Sequence, residues 1–315
     1  MNIIKNINTS MKTLYESLLD DFEKLEDSMD PIKEIKQFLK DNYLYANKLK
    51  ISKEPNKDGY YEVDCTNYAY VEVKNKEIES LTNGLFEFIN VRGFNCIRCN
   101  NLITLKGAPK EVSGNFFCSC CNSLTSLEGS PKEVGGNFDC SYCDNLTSLK
   151  GAPEKVDGNF DCSFCDNLTS LKGAPEKVGD SFYCPYCGSL TSLKGAPKKI
   201  KGEFNCSGCS NLTSLEGAPE KVDRVFNCSR CKSLTSLKGA PKKVEGSFAC
   251  IRCDNLTSLE GAPKEVSRSF YCSDCNNLTS LKGAPKEVGG SFACSSCNKL
   301  VTLEGKLISV KFLKP

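Results

Sequence analysis

The residues best suited to chemistry in this sequence are its cysteines, 22 of them in 315 residues. Cys96, Cys118, Cys140, Cys162, Cys184, Cys206, Cys228, Cys250, Cys272 and Cys294 stand 22 residues apart, and each has a second Cys three residues on, from Cys99 to Cys297. Only Cys65 and Cys120 fall outside this pattern. Pairs of this kind suggest three chemistries. Adjacent repeats spell C-x2-C-x18-C-x2-C, so Cys140, Cys143, Cys162 and Cys165 have the ligand number and spacing of a tetrahedral thiolate zinc site. A repeat of 22 generates that spacing automatically, however, and gives no pair a preferred partner above or below it. Redox chemistry is the second possibility, because Cys184-Pro185-Tyr186-Cys187 is the motif of glutaredoxins. No βαβ pattern surrounds it. The third reading makes the first thiol of each pair a small buried hydrophobe and the second a weak donor to a loop carbonyl. That reading explains why Phe and Leu keep step with the thiols, and it is the one adopted here: no cofactor is expected, with zinc as the alternative. Cys120, between Cys118 and Cys121, is the thiol most suited to exposure and reactivity.

The elements that position these thiols follow from the rest of the unit, F-x-C-x-x-C-x-x-L-T-S-L-x-G-A-P-x-x-V-x-x-x. Phe138 and Cys140 are two apart, so in extended chain they point to one side, with Asp139 and Ser141 on the other. Leu146, Leu149 and Val156 add inward groups. Gly151 permits a tight turn, and Pro153 fixes extended backbone. The unit has no 3.6-residue apolar period. One coil cannot bury its own apolar side, so neighbours must stack. The expected fold class is a mainly β repeat solenoid. It would carry one short parallel strand per 22-residue coil, a non-helical convex side and a small helical N-terminal cap.

The run Val134-x-x-x-Phe138-x-Cys140-x-x-Cys143-x-x-Leu146-x-x-Leu149 resembles a leucine-rich repeat, in the variant with Cys at the ladder position. Phe138, Cys140 and Cys143 match the fourth, sixth and ladder positions. Leu-Thr-Ser-Leu with a Pro-containing return is similar to the short repeats of secreted bacterial ubiquitin-ligase effectors. Val134 precedes Phe138 by four residues where the family has three, and Cys replaces a strand Leu. The resemblance covers roughly residues 71–305 and concerns architecture; no counterpart of the separate catalytic domain of those effectors is expected. It implies that the concave sheet binds a protein partner. Phe117, Tyr142, Phe164, Tyr183 and Tyr186 would form an aromatic patch there, joined by Arg230 and Arg252. The Lys and Glu residues around Gly-Ala-Pro, such as Lys150 and Glu154, read as a solvated outer face.

The flanks read as caps. Residues 1–58 form a helical segment and linker, with Met11, Leu14, Leu18, Leu19, Phe22 and Leu25 at helical spacing. Asp30-Pro31 opens a second helix carrying Ile32, Ile35, Phe38 and Leu39, and residues 43–58 are a polar connector. Residues 59–93 hold capping strands and a degenerate repeat with Lys76 in place of the ladder Cys. Residues 94–305 are the ten repeats, and 306–315 a closing strand around Val310 and Phe312. The helices would cap the stack or dock it to a larger assembly. Residues 11–20 are also similar to the start of gut bacteriophage proteins.

Composition narrows the function. The absence of His removes Ser-His-Asp triads, Cys-His dyads and HExxH zinc sites, so no enzyme is expected. A net charge of +2 gives no case for a nucleic-acid partner. No apolar run approaches the ~20 residues of a membrane span. With no signal-peptide core at residues 1–10, reduced thiols in a cytoplasm are expected, or a virion if the chain is phage-encoded.

Overall fold

A computed structural model describes residues 30–43, 49–301 and the strand 309–314 of the chain. Helix α1, Pro31–Asn42, begins where the sequence places it. The Asp30 carboxylate accepts from the Ile32 and Lys33 amides at 3.0 and 3.3 Å, and Pro31 occupies the first turn, where its missing N–H costs nothing. Ile35 and Leu39 are buried and belong to the solenoid core. Phe38 meets the edge of Phe86 at 5.9 Å, and Tyr43 that of Phe88 at 5.2 Å. The helix therefore closes the N-terminal end of the stack. The helix expected over residues 11–28 lies outside the described residues.

Strands β1 (Lys50–Ile51), β2 (Tyr61–Asp64) and β4 (Phe86–Ile89) make a three-stranded sheet, β1 antiparallel and β4 parallel to β2. β1 lies in the stretch read as a connector. β3 (Val71–Glu72) pairs with β5 (Phe94–Asn95) and so belongs to the solenoid sheet. Beyond β3 the Lys76 ammonium donates to the Val73 carbonyl at 2.7 Å.

The repeats form a parallel β-solenoid with a 22-residue period. Each residue pairs in register with its equivalent one coil away, as Phe138 with Phe160 and Phe160 with Phe182. The single strand expected per coil is two in most repeats. In one such coil β8 (Glu133–Val134) precedes β9 (Phe138–Asp139), and each stacks on its own equivalents. Gly135-Gly136-Asn137 separates them, and its amides are satisfied from the coil before: Gly136 N–H bonds Gly114 C=O at 2.8 Å and Asn137 N–H bonds the Asn115 Oδ1 at 2.8 Å. Two-residue strands leave no alternation to read, which is why the sequence shows only the strand marked by Phe and Cys. Beyond the last repeat, β23 (Ser309–Lys314) pairs parallel to β22 (Glu287–Ala293), at the position expected for the closing strand.

The core is a set of columns. Phe94 through Phe292 stack face to face with centroids 5.2–5.5 Å apart and ring planes within 23°. Columns of Cys, Leu and Val/Ile run beside them, nearly all without solvent exposure. Gly151 shows why Gly-Ala-Pro recurs. Its φ is 86°, and a Cβ there would lie 2.4 Å from the Glu128 amide nitrogen of the previous coil. On the outside, Lys150 pairs with Glu128 and Lys282 with Glu260, both at 2.7 Å. These are the solvated rows expected, and such exposed pairs add little stability.

Candidate interaction surface

Residues i and i+3 cannot both face inward along one strand, because side chains alternate. The Cys-x-x-Cys spacing therefore forces a turn between its thiols. Its first half is an Asx turn: the Asp139 carboxylate accepts from the Ser141 amide at 2.8 Å and the Asp161 carboxylate from Ser163 at 2.9 Å. Asn95, Asn205 and Asn227 do the same in other coils. Its second half is a residue in the left-handed region in each repeat, at φ 74° for Gly208 and 56° to 61° for the others, Tyr142, Phe164, Tyr186, Arg230 and Arg252 among them. Glycine is the residue that adopts this conformation at no steric cost, and only Gly208 does so here. The amides hold the rest in place; Tyr142 N–H bonds Ser163 C=O and Tyr186 N–H bonds Ser207 C=O, each at 2.8 Å.

The seven residues singled out from the sequence fall into two rows. Tyr142, Phe164, Tyr186, Arg230 and Arg252 occupy the left-handed turn position. Tyr142 and Phe164 stack at 4.5 Å and 5°, Phe164 and Tyr186 at 4.9 Å and 10°. Tyr142 is 47% and Tyr186 37% exposed. Tyr186 leans over Gly208, where a Cβ would sit 2.5 Å from the ring. The Arg230 guanidinium reaches across to donate to the Tyr186 hydroxyl at 3.0 Å. Arg252 pairs instead with Asp274 at 3.4 Å.

Phe117 and Tyr183 lie in the other row, second in β7 (Phe116–Phe117) and β13 (Phe182–Tyr183). Tyr183 pairs in register with Asp161 and Asn205. Phe117 stacks on Tyr70 at 6.3 Å, a partner the sequence did not reveal because it belongs to the irregular first coil. Sequence reasoning also missed a groove of about 1370 Å³ between the three-stranded sheet and the first coils, lined by Tyr60, Arg92, Lys106, Lys110 and Lys132. Glu87 at its edge is tied to Lys110 at 2.5 Å and Asn56 at 2.6 Å.

The thiols have a regular use. In nine successive coils the second Cys of a pair donates its S–H to the carbonyl of the first Cys one coil back, at 3.0–3.3 Å, as Cys143 does to Cys118. Burial pushes Cys118, Cys140 and Cys162 well above the ordinary thiol range, and Cys65 up to about 12. In the glutaredoxin-like motif, burial raises Cys184, while a hydrogen bond with Cys209 and burial raise Cys187. Nucleophilic thiols of such motifs need the opposite shift. The last coil differs. Cys294 and Cys297 are half-buried, and the neighbouring Cys275 thiol lowers Cys297 to about 7.

No family model matches the chain, and no curated protein matches it. Among solved structures, a leucine-rich repeat protein from Bacteroides ovatus is similar to it, at 16% identity over 80% of this chain and 91% of that one, with a TM-score of 0.25.

Proposed function

We propose that this chain is a non-enzymatic scaffold that binds a protein partner through the strand–turn face of its solenoid. The carrying observation is the Tyr142–Phe164–Tyr186 stack, two exposed tyrosine rings with a half-buried Phe between them, on a frame fixed by in-register pairing. Rigid aromatics offer contact area at small entropic cost and are favoured at protein interfaces. Their backbone adds support, since large side chains held where Gly or Asn would be easier point to use of the side chains themselves. Phe117, Tyr183, Arg230 and Arg252 extend the surface to either side. We take this face to be the concave one, as the resemblance implies. Replacing Tyr142→Ala together with Tyr183→Ala is expected to weaken capture of the partner in a pull-down at least tenfold, with an unchanged circular dichroism spectrum. Equal capture by the double variant rejects the surface; recruitment by residues 1–50 alone moves the role to the N-terminal helices.

Asp139, Asp144, Asp161 and Asp166 share the coils of Tyr142 and Phe164, which argues for a protein partner and against nucleic acid. Among the described residues no helix is long and apolar enough to cross a membrane. Buried unpaired thiols suit a reducing compartment, host cytoplasm or the virion of a phage. The regular S–H···O=C bonds support a structural role for the cysteine pairs over a zinc array. One sample checks this. Native protein is expected to expose only Cys120, Cys294 and Cys297 to a thiol reagent, the remainder reacting after denaturation. Metal analysis without chelator is expected to find little zinc, and about one ion per two repeats would overturn the structural role.

A further inference from the structure

We propose that the Tyr142–Phe164–Tyr186 stack receives a basic segment of the partner, with an arginine or lysine side chain packed on the open face of Tyr142. This rests on the binding role proposed for the same surface and specifies what binds there. The stack has one closed end and one open end. Arg230 closes it by reaching over Gly208 to the Tyr186 hydroxyl. At the other end the equivalent position in the preceding coil is Cys120, so the ring series stops at Tyr142, the most exposed of the three.

Charge identifies the occupant. The strand–turn segments 138–148 and 160–170 contain Asp139, Asp144, Asp161 and Asp166 and no Lys or Arg. Asp139 and Asp161 stand on neighbouring strands in direct register. Burial, with Asp139 adding repulsion, pushes the Asp161 carboxyl above the usual carboxylate range. A docked cation would offset the repulsion between the two carboxylates. An open aromatic face in a coil that itself carries Asp139 and Asp144 suits a guanidinium or ammonium group through cation–π attraction and ion pairing. Further along, Arg230, Lys232 and Arg252 line a separate groove of about 510 Å³ together with Asp254 and Asp274. That groove has mixed charge, with Arg252 already paired to Asp274, so it offers a basic segment less than the acidic coils do. Three coils span only ~10 Å at a strand spacing of ~4.8 Å. That length suits a few extended residues and falls far short of the ~800 Å² per partner that a second solenoid would need.

The repeat itself supplies a clean variant. Asn205 and Asn227 cap the same turn that Asp139 and Asp161 cap, and Asn122 and Asn276 stand where Asp144 and Asp166 do. Asp→Asn at all four positions removes the charge and keeps a side chain that this fold already uses. The full-length chain would be titrated with a fluorescein-labelled peptide of alternating Arg and Gly, and with its Glu and Gln counterparts. The Arg peptide is expected to bind at least tenfold tighter than the Glu and Gln peptides. The fourfold Asn variant and Tyr142→Ala should each weaken it tenfold or more, whereas Lys150→Ala on the outer ionic row should leave it unchanged. Equal binding of all three peptides, or of the Arg peptide to the Asn variant, overturns the inference. So does sedimentation showing a dimer that Tyr142→Ala dissolves. Partner capture lost in the Tyr142→Ala, Tyr183→Ala variant with no Arg-peptide binding sinks this inference alone; capture insensitive to that variant sinks the binding role as well.

Discussion

Between pH 8 and pH 10 the melting temperature is expected to collapse, and the protein to unfold without heating near the upper end. All but three of the 22 cysteines are buried. An unfolded thiol ionises near 8.5. In the fold, burial holds Cys118, Cys140, Cys228 and Cys250 well above that range, and Cys65 at about 12. Above pH 8.5 the unfolded chain thus binds fewer protons than the folded one, so stability falls as pH rises. The contribution of each thiol is complete below its unfolded value and is lost on the way to its folded value. The slope is ~1.4 kcal/mol per pH unit for each such group. With well over a dozen of them, a single unit removes on the order of 20 kcal/mol. That is comparable to a total stability of roughly 0.05–0.15 kcal/mol per residue. Cys297, lowered to about 7, has the opposite sign: it adds stability above the unfolded value and loses it as pH falls through 7. It is one group against many. Circular dichroism melts from pH 7 to 10.5 in the presence of reductant test this, with recovery on return to pH 7. A melting temperature that holds from pH 7.5 to 9.5 would contradict the buried, protonated state of the thiols.

Phe204→Ala is expected to cost about 3–5 kcal/mol and to divide the unfolding transition in two. Phe204 is unexposed and stacked on both sides, 5.5 Å from Phe182 and 5.4 Å from Phe226. Its loss opens a hole in the middle of the column. In a solenoid each coil contacts only its neighbours, so a weak coil uncouples the stretches on either side. Denaturant melts should then show two steps, and hydrogen exchange the fastest opening around residues 182–231. A cost below about 1 kcal/mol with one sharp transition would mean that the Phe column does not carry the coupling.

The fold was largely legible because stacking repeats print their inward positions at fixed spacing. Phe138, Cys140, Cys143, Leu146, Leu149 and Val156 were all read as interior, and all are buried. The surface was less legible. Tyr142 and its equivalents look like strand residues beside Phe117 and Tyr183, yet they sit one turn further on, in left-handed backbone. The signal was present in the thiol spacing, since two inward residues three apart demand a turn. It was masked because Tyr, Phe and Arg replace the Gly or Asn that would announce such a turn. Tyr70 against Phe117 and the groove at Arg92 were beyond reach, because they arise where the 25-residue offset of β2 to β4 meets the regular period.

The in-register pairing has an evolutionary consequence. Every coil presents the same bonding edge above and below, so unequal recombination could remove or duplicate 22 residues and leave both junctions satisfied. The rod would lengthen or shorten in steps of ~4.8 Å. A duplication between Tyr186 and Arg252 would move the acidic aromatic stretch and the groove at Arg252 apart by one step. Repeat number would then act as a vernier on ligand length, adjustable without altering a single contact inside a coil.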